Sequence, residues 1–600
     1  MAEEAENPKK RGYLDSFIEF IFSKDERKWL ILILLIGIIL RFIVAGNIDP
    51  LADESVHGPH AIGFLHSGLI STVVECPLWF YLTDIALNIF GVTFFSVRFL
   101  SFFFGSLTII LAYLIGSKFF SKKIGIISSF LLAVSFFTIR FTLAEMDLSA
   151  AFFLILAVYS FIISVEKGKF PLLAAVCIGL ASSLKTLSLF FVPAFLIGLF
   201  LFNKRKEEQT KKDYILKNLK WILYSGLIVL FFFSPILIHN YLLYKDKGIV
   251  DIYFSQYFNP NNSRQVYPDQ GTTSLLSSNF FEGIIFMFKR FYLFEPLIFS
   301  LGLLGILLYL FKKEKDSHRL FFILFELSGF ILLLIASNWL DTHYTTMIPI
   351  LCIFASLFIV SFSSSLSKKI NIDSKTIIKI SLVIILIFQI WIMLPYLTSR
   401  CGSCKMRNYA ISSMDKNSIV VVDPRIYRGE IVWSFHDFHY LELSLFSDVM
   451  NLNENMSGVK VPTKAYFIEC AIDDCGWGTI KDQPEFNATM EEFFSSLPVN
   501  SLEKVLNGGG GTGGQNAPHF KIYQVALNLN PQIIPMIDST HSWYYYPVNY
   551  IPKEQIFDRY EVNGAFDKLI YKFAWLVLII SIILAILFSA IPFAYLLKNR

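Results

Sequence analysis

The residues best suited to chemistry lie in the first polar loop of the chain, directly after its first long apolar run. This loop reads IDPLADESVH from Ile48 to His57, and the segment Glu75-Cys76-Pro77 follows about twenty residues later. Asp53 and Glu54 are adjacent carboxylates just beyond an apolar segment, where no packing role accounts for them. Carboxylates there suit general-base activation of an acceptor or the holding of a cation. The sequence therefore predicts an active-site loop at a membrane surface.

Apolar segments dominate the chain around this loop. Of its 600 residues, 54% are apolar and 16% are aromatic, and the formal net charge is only +4. Runs long enough to cross about 30 Å of hydrocarbon recur from Trp29 to Leu597, which indicates a polytopic α-helical membrane protein. Met1 to Lys28 is polar and lacks the pattern of a cleavable signal peptide. We expect no nucleic-acid partner.

The distribution of lysine and arginine orients the predicted helices. The basic tail 1–28 is placed in the cytoplasm, so the first outer loop, 47–93, lies outside. Residues 78–90 are apolar but short, and we expect them to form an amphipathic helix on the outer surface with Asp84 on its wet face. The basic loops then fall inside, and about twelve transmembrane helices result. Their approximate ranges are 29–46, 94–117, 124–141, 148–164, 170–184, 187–203, 219–243, 292–311, 319–337, 344–363, 375–397 and 567–597.

These spans divide the chain into a transmembrane catalytic domain, 29–397, a soluble extracytoplasmic domain, 398–565, and a final helix with a cytoplasmic end, 566–600. The soluble segment contains β-branched runs at 418–422, 465–468 and 520–525 and a helix-like stretch at 490–497, which predict a small α/β domain. Four cysteines in this segment suit two disulfides of open connectivity, or alternatively a zinc site. They are Cys401, Cys404, Cys470 and Cys475.

Ionisable residues collect at the outer helix ends, whereas the inner loops carry mostly lysine and arginine. Such groups near the hydrocarbon boundary are costly unless they are paired or used. Carboxylates together with Lys and Arg imply the transfer of a group carried on a phosphate, and a membrane lipid is a suitable carrier. Other roles stay open for some of them: snorkelling for Arg98 and Arg140, and helix capping for Asp147. The candidate residues are Asp53, Glu54, Glu75, Arg98, Arg140, Asp147, Lys185, His343 and Tyr344.

Several of these motifs, taken in order, resemble the GT-C glycosyltransferases, in particular the branch of the protein O-mannosyltransferases and the lipid A aminoarabinose transferase. The resemblance covers about residues 28–363, and the soluble segment has no specific motif. In the first loop it rests on Asp53-Glu54, PLWFY from Pro77, Phe90-Gly91 and Arg98-Phe99. Further along it rests on LAEMD ending at Asp147, LKT at 184–186, and Tyr344 with Pro349.

The resemblance implies a reaction and a role for each site residue. Asp53 would be the base that deprotonates an acceptor hydroxyl, which displaces a polyprenyl phosphate from the anomeric carbon of a sugar with inversion. Glu54 would support Asp53, Asp147 would shape the pocket, and Lys185 with Arg98 or Arg140 would hold the phosphate. Glu75, His343 and Tyr344 complete the expected substrate-binding set. The sugar, a hexose or a pentose, and the acceptor, a protein, a lipid or a glycan, stay open.

The chain departs from the family pattern at two positions. Relatives have Glu-Lys-Pro where this chain has Glu75-Cys76-Pro77, and Arg-Tyr where it has His343-Tyr344. The spacing of Asp49 and Asp53 differs from the Asp-x-Asp cation motif of the family, so we favour no metal or other cofactor, although a divalent cation stays open. A lipid or ion transporter and a non-catalytic receptor or scaffold are the alternative functions. The expected location is the plasma membrane, with the active site outside.

Overall fold

The computed structural model describes most of the chain. The described residues are 25–50, 52–73, 76–203, 210–258, 280–311, 316–335, 340–471, 484–508, 517–541, 546–547, 549–550 and 556–598. Of the candidate site residues, Glu75 lies outside the described residues, and so does the side chain of Asp53.

Helices make up the described part of the chain up to Thr398. Short 3-10 turns precede α9 and α15, at Thr186–Phe191 and Asp341–Met347. In chain order the helices are α1 (Asp25–Asn47), α2 (Ala52–Ala61), α3 (Pro77–Phe90), α4 (Phe94–Phe119), α5 (Lys122–Val134), α6 (Phe136–Arg140), α7 (Asp147–Glu166), α8 (Leu172–Leu184), α9 (Val192–Phe202), α10 (Lys211–Lys247), α11 (Ile252–Phe258), α12 (Phe280–Phe294), α13 (Pro296–Leu310), α14 (Ser317–Ile335), α15 (Ile348–Ile370) and α16 (Ser374–Thr398).

The segment after α16 is a small α/β domain, followed by two closing helices. Its five-stranded sheet has the order β2-β1-β3-β5-β4, in which β1 runs parallel to β2 and β3, and β5 runs antiparallel to β3 and β4. The predicted runs at 418–422, 465–468 and 520–525 lie in β1, β3 and β5, whereas β2 and β4 were not predicted. The elements are α17 (Gly402–Ser413), β1 (Ile419–Val422), α18 (Arg428–Phe435), β2 (His439–Glu442), α19 (Phe446–Asn455), β3 (Val461–Cys470), α20 (Pro484–Ser496), β4 (Leu502–Gly508), β5 (Ala517–Leu529), α21 (Ile533–Ser539), α22 (Ala565–Ser589) and α23 (Ile591–Lys598).

Within the described residues, eight helices are long and apolar enough to cross a membrane: α1, α4, α7, α10, α14, α15, α16 and α22. Helices α8, α9 and α13 are apolar but shorter. The predicted span 124–141 is two helices, α5 and α6, which are separated at Ser135. The multi-pass class therefore agrees with the prediction, while the count of twelve crossings is not confirmed.

Helix α3 occupies the position predicted for the surface helix and is too short to be a candidate span. Pro77 begins it, where the missing N–H costs no hydrogen bond, and Gly91 ends it with a φ of 81°. Asp84, however, is not on a wet face. It is buried and accepts hydrogen bonds from the backbone N–H groups of Gly63 and Leu65, at 3.0 and 2.8 Å. The wet-face prediction failed because the turn after α2 folds back over α3.

Two buried charges sit at the break between α5 and α6. The guanidinium of Arg41 donates to the carbonyl oxygens of Leu132 and Ala133 at the end of α5 and to the hydroxyl of Thr138. The carboxylate of Glu295 accepts from the Ser135 hydroxyl and from the N–H of Phe137 at the start of α6. A cation therefore meets the carbonyl end of one helix and an anion meets the N–H end of the next, which suits both helix dipoles.

Candidate active site

The first loop forms helix α2 almost directly after α1. Its backbone places Asp53 and Glu54 in the first turn of α2, and His57 and His60 follow at one-turn spacing. Glu54, His57 and His60 are all buried. The loop predicted from the sequence is therefore a short helix that lies against the rest of the protein.

Glu54 and Arg98 form a fully buried ion pair between α2 and α4. Arg98 Nε donates to Glu54 Oε1 at 2.6 Å and Nη2 donates to Oε2 at 2.7 Å, which is the bidentate geometry that gives strong pairs. The N–H of Ala144 also donates to Glu54 Oε1, at 3.0 Å. This carboxylate thus ties α2 to α4 and to the segment that precedes α7.

Arg98 also donates hydrogen bonds to backbone carbonyl groups. Its Nη1 donates to the carbonyl oxygens of Ala45 and Ile48, at the end of α1. Its guanidinium also lies over the Phe94 ring, with the central carbon 5.2 Å from the ring centroid. These contacts hold α2 against α4 and the end of α1, while phosphate binding by Arg98 stays a prediction.

Asp147, Lys185 and His343 come together as a second buried cluster, from segments far apart in the chain. Asp147 begins α7, Lys185 follows α8, and His343 lies in the 3-10 turn before α15. His343 Nδ1 is 2.8 Å from Asp147 Oδ1, and Lys185 Nζ is 4.0 Å from Asp147 Oδ2. All three side chains are at most 6% exposed. Buried charges that are shared in this way suit recognition of an ionic ligand.

His57 of α2 belongs to the same environment. Burial lowers the pKa of His57 to about 3, and the positive charges of Lys185 and His60 act in the same direction. The imidazole is therefore neutral at pH 7 and can exchange hydrogen bonds without adding charge. The sequence places His57 at the end of the predicted active-site loop, but His57 was not among the predicted site residues.

Other predicted residues lie around this cluster in different roles. Arg140 pairs with Asp341 at 3.1 Å and lies over the Phe294 ring at 4.0 Å, and both charged side chains are about 15% exposed. Tyr344 is buried in the apolar interior against Phe291 and Phe330. Arg140 is thus accessible to a ligand, whereas Tyr344 contributes packing.

Cys76, where relatives carry lysine, lies beside the residue that follows Lys185. Its sulfur is 3.0 Å from the Thr186 hydroxyl oxygen, and the side chain is buried. Cys76 therefore contacts the residue next to Lys185 in the sequence.

The α/β domain packs directly on α2, which the sequence did not predict. The N–H of Ser403 donates to Asp49 Oδ1 at 3.0 Å, and the Ser403 hydroxyl contacts the carboxyl of Glu430. Burial raises the pKa of Glu430 to about 8, and the charge of Asp49 adds to this effect. Trp433 of α18 is buried against Phe94, with ring centroids 4.9 Å apart. The α/β domain thus contacts the segment between α1 and α2 and the start of α4.

Among the described residues, no three His, Cys, Asp or Glu side chains are grouped to hold a metal ion. Cys401 and Cys404 form a disulfide, and Cys470 is also disulfide-bonded, while Cys475 lies outside the described residues. Cysteines in a disulfide are not available as zinc ligands, so the alternative zinc site does not form at Cys401 and Cys404.

Part of the chain matches a known protein family. Residues 74–239 match the family model described as dolichyl-phosphate-mannose-protein mannosyltransferase. This range contains Arg98, Arg140, Asp147 and Lys185, and it begins after Asp53 and Glu54. The resemblance inferred from the sequence motifs is thereby confirmed. No curated protein sequence matches the chain.

Solved structures of similar architecture include a bacterial and an archaeal membrane protein. ArnT from Cupriavidus metallidurans in the apo state aligns with a TM-score of 0.50 and 10% identity, over 83% of this chain and 98% of that one. ArnT bound to undecaprenyl phosphate gives 0.49 and 11%, over 84% and 99%. The oligosaccharyltransferase of Archaeoglobus fulgidus in the apo form gives 0.45 and 13%, over 75% and 70%. The alignment with apo ArnT shows a shared fold.

Proposed function

We propose that this protein is a multi-pass membrane glycosyltransferase that transfers a sugar from a polyprenyl phosphate to an acceptor hydroxyl, with inversion. The observation that carries this proposal is the buried cluster of Lys185, Asp147 and His343 beside α2, the helix that bears Asp53. The match of residues 74–239 to mannosyltransferases that use dolichyl phosphate mannose supports the same chemistry. ArnT, which shares the fold, has a structure bound to undecaprenyl phosphate.

In this proposal Lys185 binds the phosphate leaving group and stabilises its negative charge. A cation placed where negative charge develops stabilises the transition state most effectively when water is excluded, and Lys185 is only 6% exposed. Arg140, at the rim of the cluster, provides a second cation. Asp147 and His343 hold Lys185 in place through the shared carboxylate. Neutral His57 adds hydrogen-bonding capacity without competing for the phosphate charge.

Asp53 is the proposed base. Its carboxylate takes the proton of the acceptor hydroxyl as the oxygen forms a bond to the anomeric carbon. The bond between that carbon and the phosphate oxygen breaks, and its electron pair leaves with the phosphate. Glu54 supports this step indirectly, because its ion pair with Arg98 fixes the first turn of α2. The attack from the face opposite the phosphate accounts for inversion.

The finer assignments follow from the same reasoning. We infer that the site faces the outer side of the plasma membrane, together with the α/β domain, because the basic loops orient the helices in that way. The sugar is a hexose or a pentose, the acceptor is a protein, a lipid or a glycan, and no metal takes part. A mass spectrum of the lipids that copurify with the protein identifies the donor.

The experiment that tests the proposal is the replacement of Asp53 by asparagine. We expect Asp53→Asn to lower the rate of sugar transfer by about 10²- to 10⁴-fold, the usual contribution of a general base, and to leave donor binding unchanged. Asp448→Asn is the matched control, because Asp448 is exposed in the first turn of α19. Unimpaired transfer by Asp53→Asn would remove Asp53 as the base, and a scaffold would be indifferent to both changes.

A further inference from the structure

A cleft of about 670 Å³ is lined in part by residues 66–69 of the first outer loop. It opens between the turn after α2, the end of α10 and the segment that leads into α22. The charged, polar and aromatic residues of its lining include Asp246, Arg559, Tyr560, Glu561, Asn563 and Tyr571. Its volume falls in the range of ligand sites, and no part of the proposed reaction uses it.

Among the described residues, buried polar atoms without a hydrogen-bond partner lie on Tyr560, which lines the cleft, and on His239, which contacts Tyr560. Within the described structure, the hydroxyl of Tyr560 and both ring nitrogens of His239 are buried and make no hydrogen bond. The two rings are in contact, with centroids 5.3 Å apart, and Tyr560 lines the cleft. Buried polar groups are almost always hydrogen-bonded, so an orphaned group needs an explanation. A ligand that enters beside Tyr560 and brings hydroxyl groups supplies one.

The charges of the lining define what kind of ligand fits. His66, Lys247 and Arg559 are balanced by Asp246 and Glu561, so the cleft does not concentrate a single charge. The amide of Asn563 donates to Glu561 at 2.5 Å, so hydrogen-bond donors and acceptors lie side by side on the cleft wall. The aromatic rings of Tyr560 and Tyr571 offer apolar faces next to these polar groups. A sugar presents the same combination, because its ring has apolar C–H faces and a rim of hydroxyls.

We propose that this cleft binds a carbohydrate. Resting on the proposed transferase function, we assign this carbohydrate to the acceptor. Asp558, between the lining residues Ile556 and Arg559, pairs with His60 of α2 at 3.2 Å. His60 lies seven residues after Asp53 on the same helix, a distance of about 10 Å along its axis at 1.5 Å per residue. The cleft is therefore connected to the helix that bears Asp53 through the pair of Asp558 and His60.

Binding is measured on the full chain carrying Asp53→Asn, in lipid nanodiscs, because maltoside and glucoside detergents are themselves carbohydrates. The probes are maltotriose, mannotriose and chitotriose, each titrated by calorimetry, with inorganic phosphate as a separate titrant. The cleft variants are Tyr560→Phe and Glu561→Ala. The control is Glu492→Ala, which removes an exposed carboxylate from α20.

We expect at least one trisaccharide to bind and each cleft variant to weaken it by about five- to tenfold, the effect of one lost hydrogen bond. Glu492→Ala leaves the affinity unchanged. Tyr560→Phe leaves the thermal transition unchanged or raises it, because the hydroxyl has no partner to lose among the described residues. This stability readout separates a ligand contact from a structural tyrosine.

The proposal is overturned when no trisaccharide binds, when the cleft variants bind as tightly as the parent, or when phosphate alone binds and the variants abolish it. Because the parent carries Asp53→Asn, these results do not depend on transferase activity. If the wild-type protein transfers sugar and the cleft variants leave the KM for the acceptor unchanged, the acceptor assignment fails while the proposed function stands.

Discussion

Glu54 is a carboxylate of the candidate active-site loop that acts through neighbouring protein groups and not by touching substrate. Both of its oxygens are occupied by Arg98, and Ala144 adds a third hydrogen bond. A buried pair of this kind is weak evidence for stability in itself, but removal of one partner leaves an uncompensated buried charge. The pair therefore fixes the turn that carries Asp53, and its loss has consequences for both folding and catalysis.

Replacement of Glu54 by glutamine tests this role. We expect Glu54→Gln to lower the free energy of unfolding by about 3 kcal/mol, because Arg98 then lies buried without a counter-charge. The double variant Glu54→Gln/Arg98→Met recovers part of this loss, since the unpaired cation is gone. The measurement is the thermal transition of each purified variant alongside its turnover. A loss of turnover in Glu54→Gln with an unchanged transition would instead assign Glu54 a direct catalytic role.

The residue types at the site were predictable from the sequence, but their partners were not. Asp147, Lys185 and His343 were singled out by type and by position at helix ends, and the structure brings them together. Arg98 was singled out in the same way, yet its donors go to Glu54 and to two backbone carbonyls. A sequence shows that a buried cation needs an anion, whereas only the fold decides between a substrate phosphate and a glutamate 44 residues away.

At the scale of elements, the break at Ser135 depends on two buried side chains from other helices. Arg41 of α1 satisfies carbonyl groups at the end of α5, and Glu295 satisfies groups at the start of α6. Both side chains are fully buried. Within hydrocarbon, backbone groups exposed by a helix break have no water to bind, so protein groups must replace it.

The variant Arg41→Met tests whether this break is held by its charge. The carbonyl groups of Leu132 and Ala133 and the hydroxyl of Thr138 would lose a donor, and we expect a loss of about 2–4 kcal/mol in the free energy of unfolding. Lys379→Met, an exposed cation lost from α16, is the control and should change little. A thermal transition of Arg41→Met equal to that of the control would contradict the role given to Arg41.

Apolar periodicity located the helices but could not reveal how they bend or what covers them. The run 124–141 reads as one span, since its break at Ser135 is stabilised by Arg41 and Glu295, which are distant in sequence. Asp84 was expected in water because an apolar helix with one carboxylate has an obvious wet face. The backbone amides of Gly63 and Leu65 supply the hydrogen bonds instead. Strands β2 and β4 are short and mixed in composition, so their pattern is weak.

At the scale of the whole molecule, the α/β domain is part of the wall around α2. A Cβ at Gly429 of α18 would lie 2.4 Å from the carbonyl oxygen of Ser55, so only glycine permits this approach. Trp433 packs on Phe94, and Ser403 binds Asp49. Deletion of residues 398–565 would therefore disturb α2 as well as any acceptor contact. Point changes at this interface are the more informative experiment.

Glu430 makes the packing of the α/β domain against α2 and its neighbouring segments sensitive to pH. Its folded pKa of about 8 lies above the ordinary 4.5, so the folded state binds more protons between these values. The stability that Glu430 contributes is therefore fully present below pH 4.5 and is lost as the pH rises through 8. The hydroxyl of Ser403 contacts this carboxyl, and the charge of Asp49 acts on it. His519 lies 3.8 Å from Asp49.

We expect Glu430→Gln, which keeps the size and the hydrogen bond to Ser403, to remove this pH dependence. The variant and the wild type should have similar thermal transitions at pH 5. At pH 8 the variant should be more stable, by on the order of 3 kcal/mol, because the wild type then bears the cost of a buried charge beside Asp49. Glu442→Gln, a partly exposed carboxylate at the end of β2, is the control. Parallel pH profiles for Glu430→Gln and the wild type would show that Glu430 does not titrate at this interface.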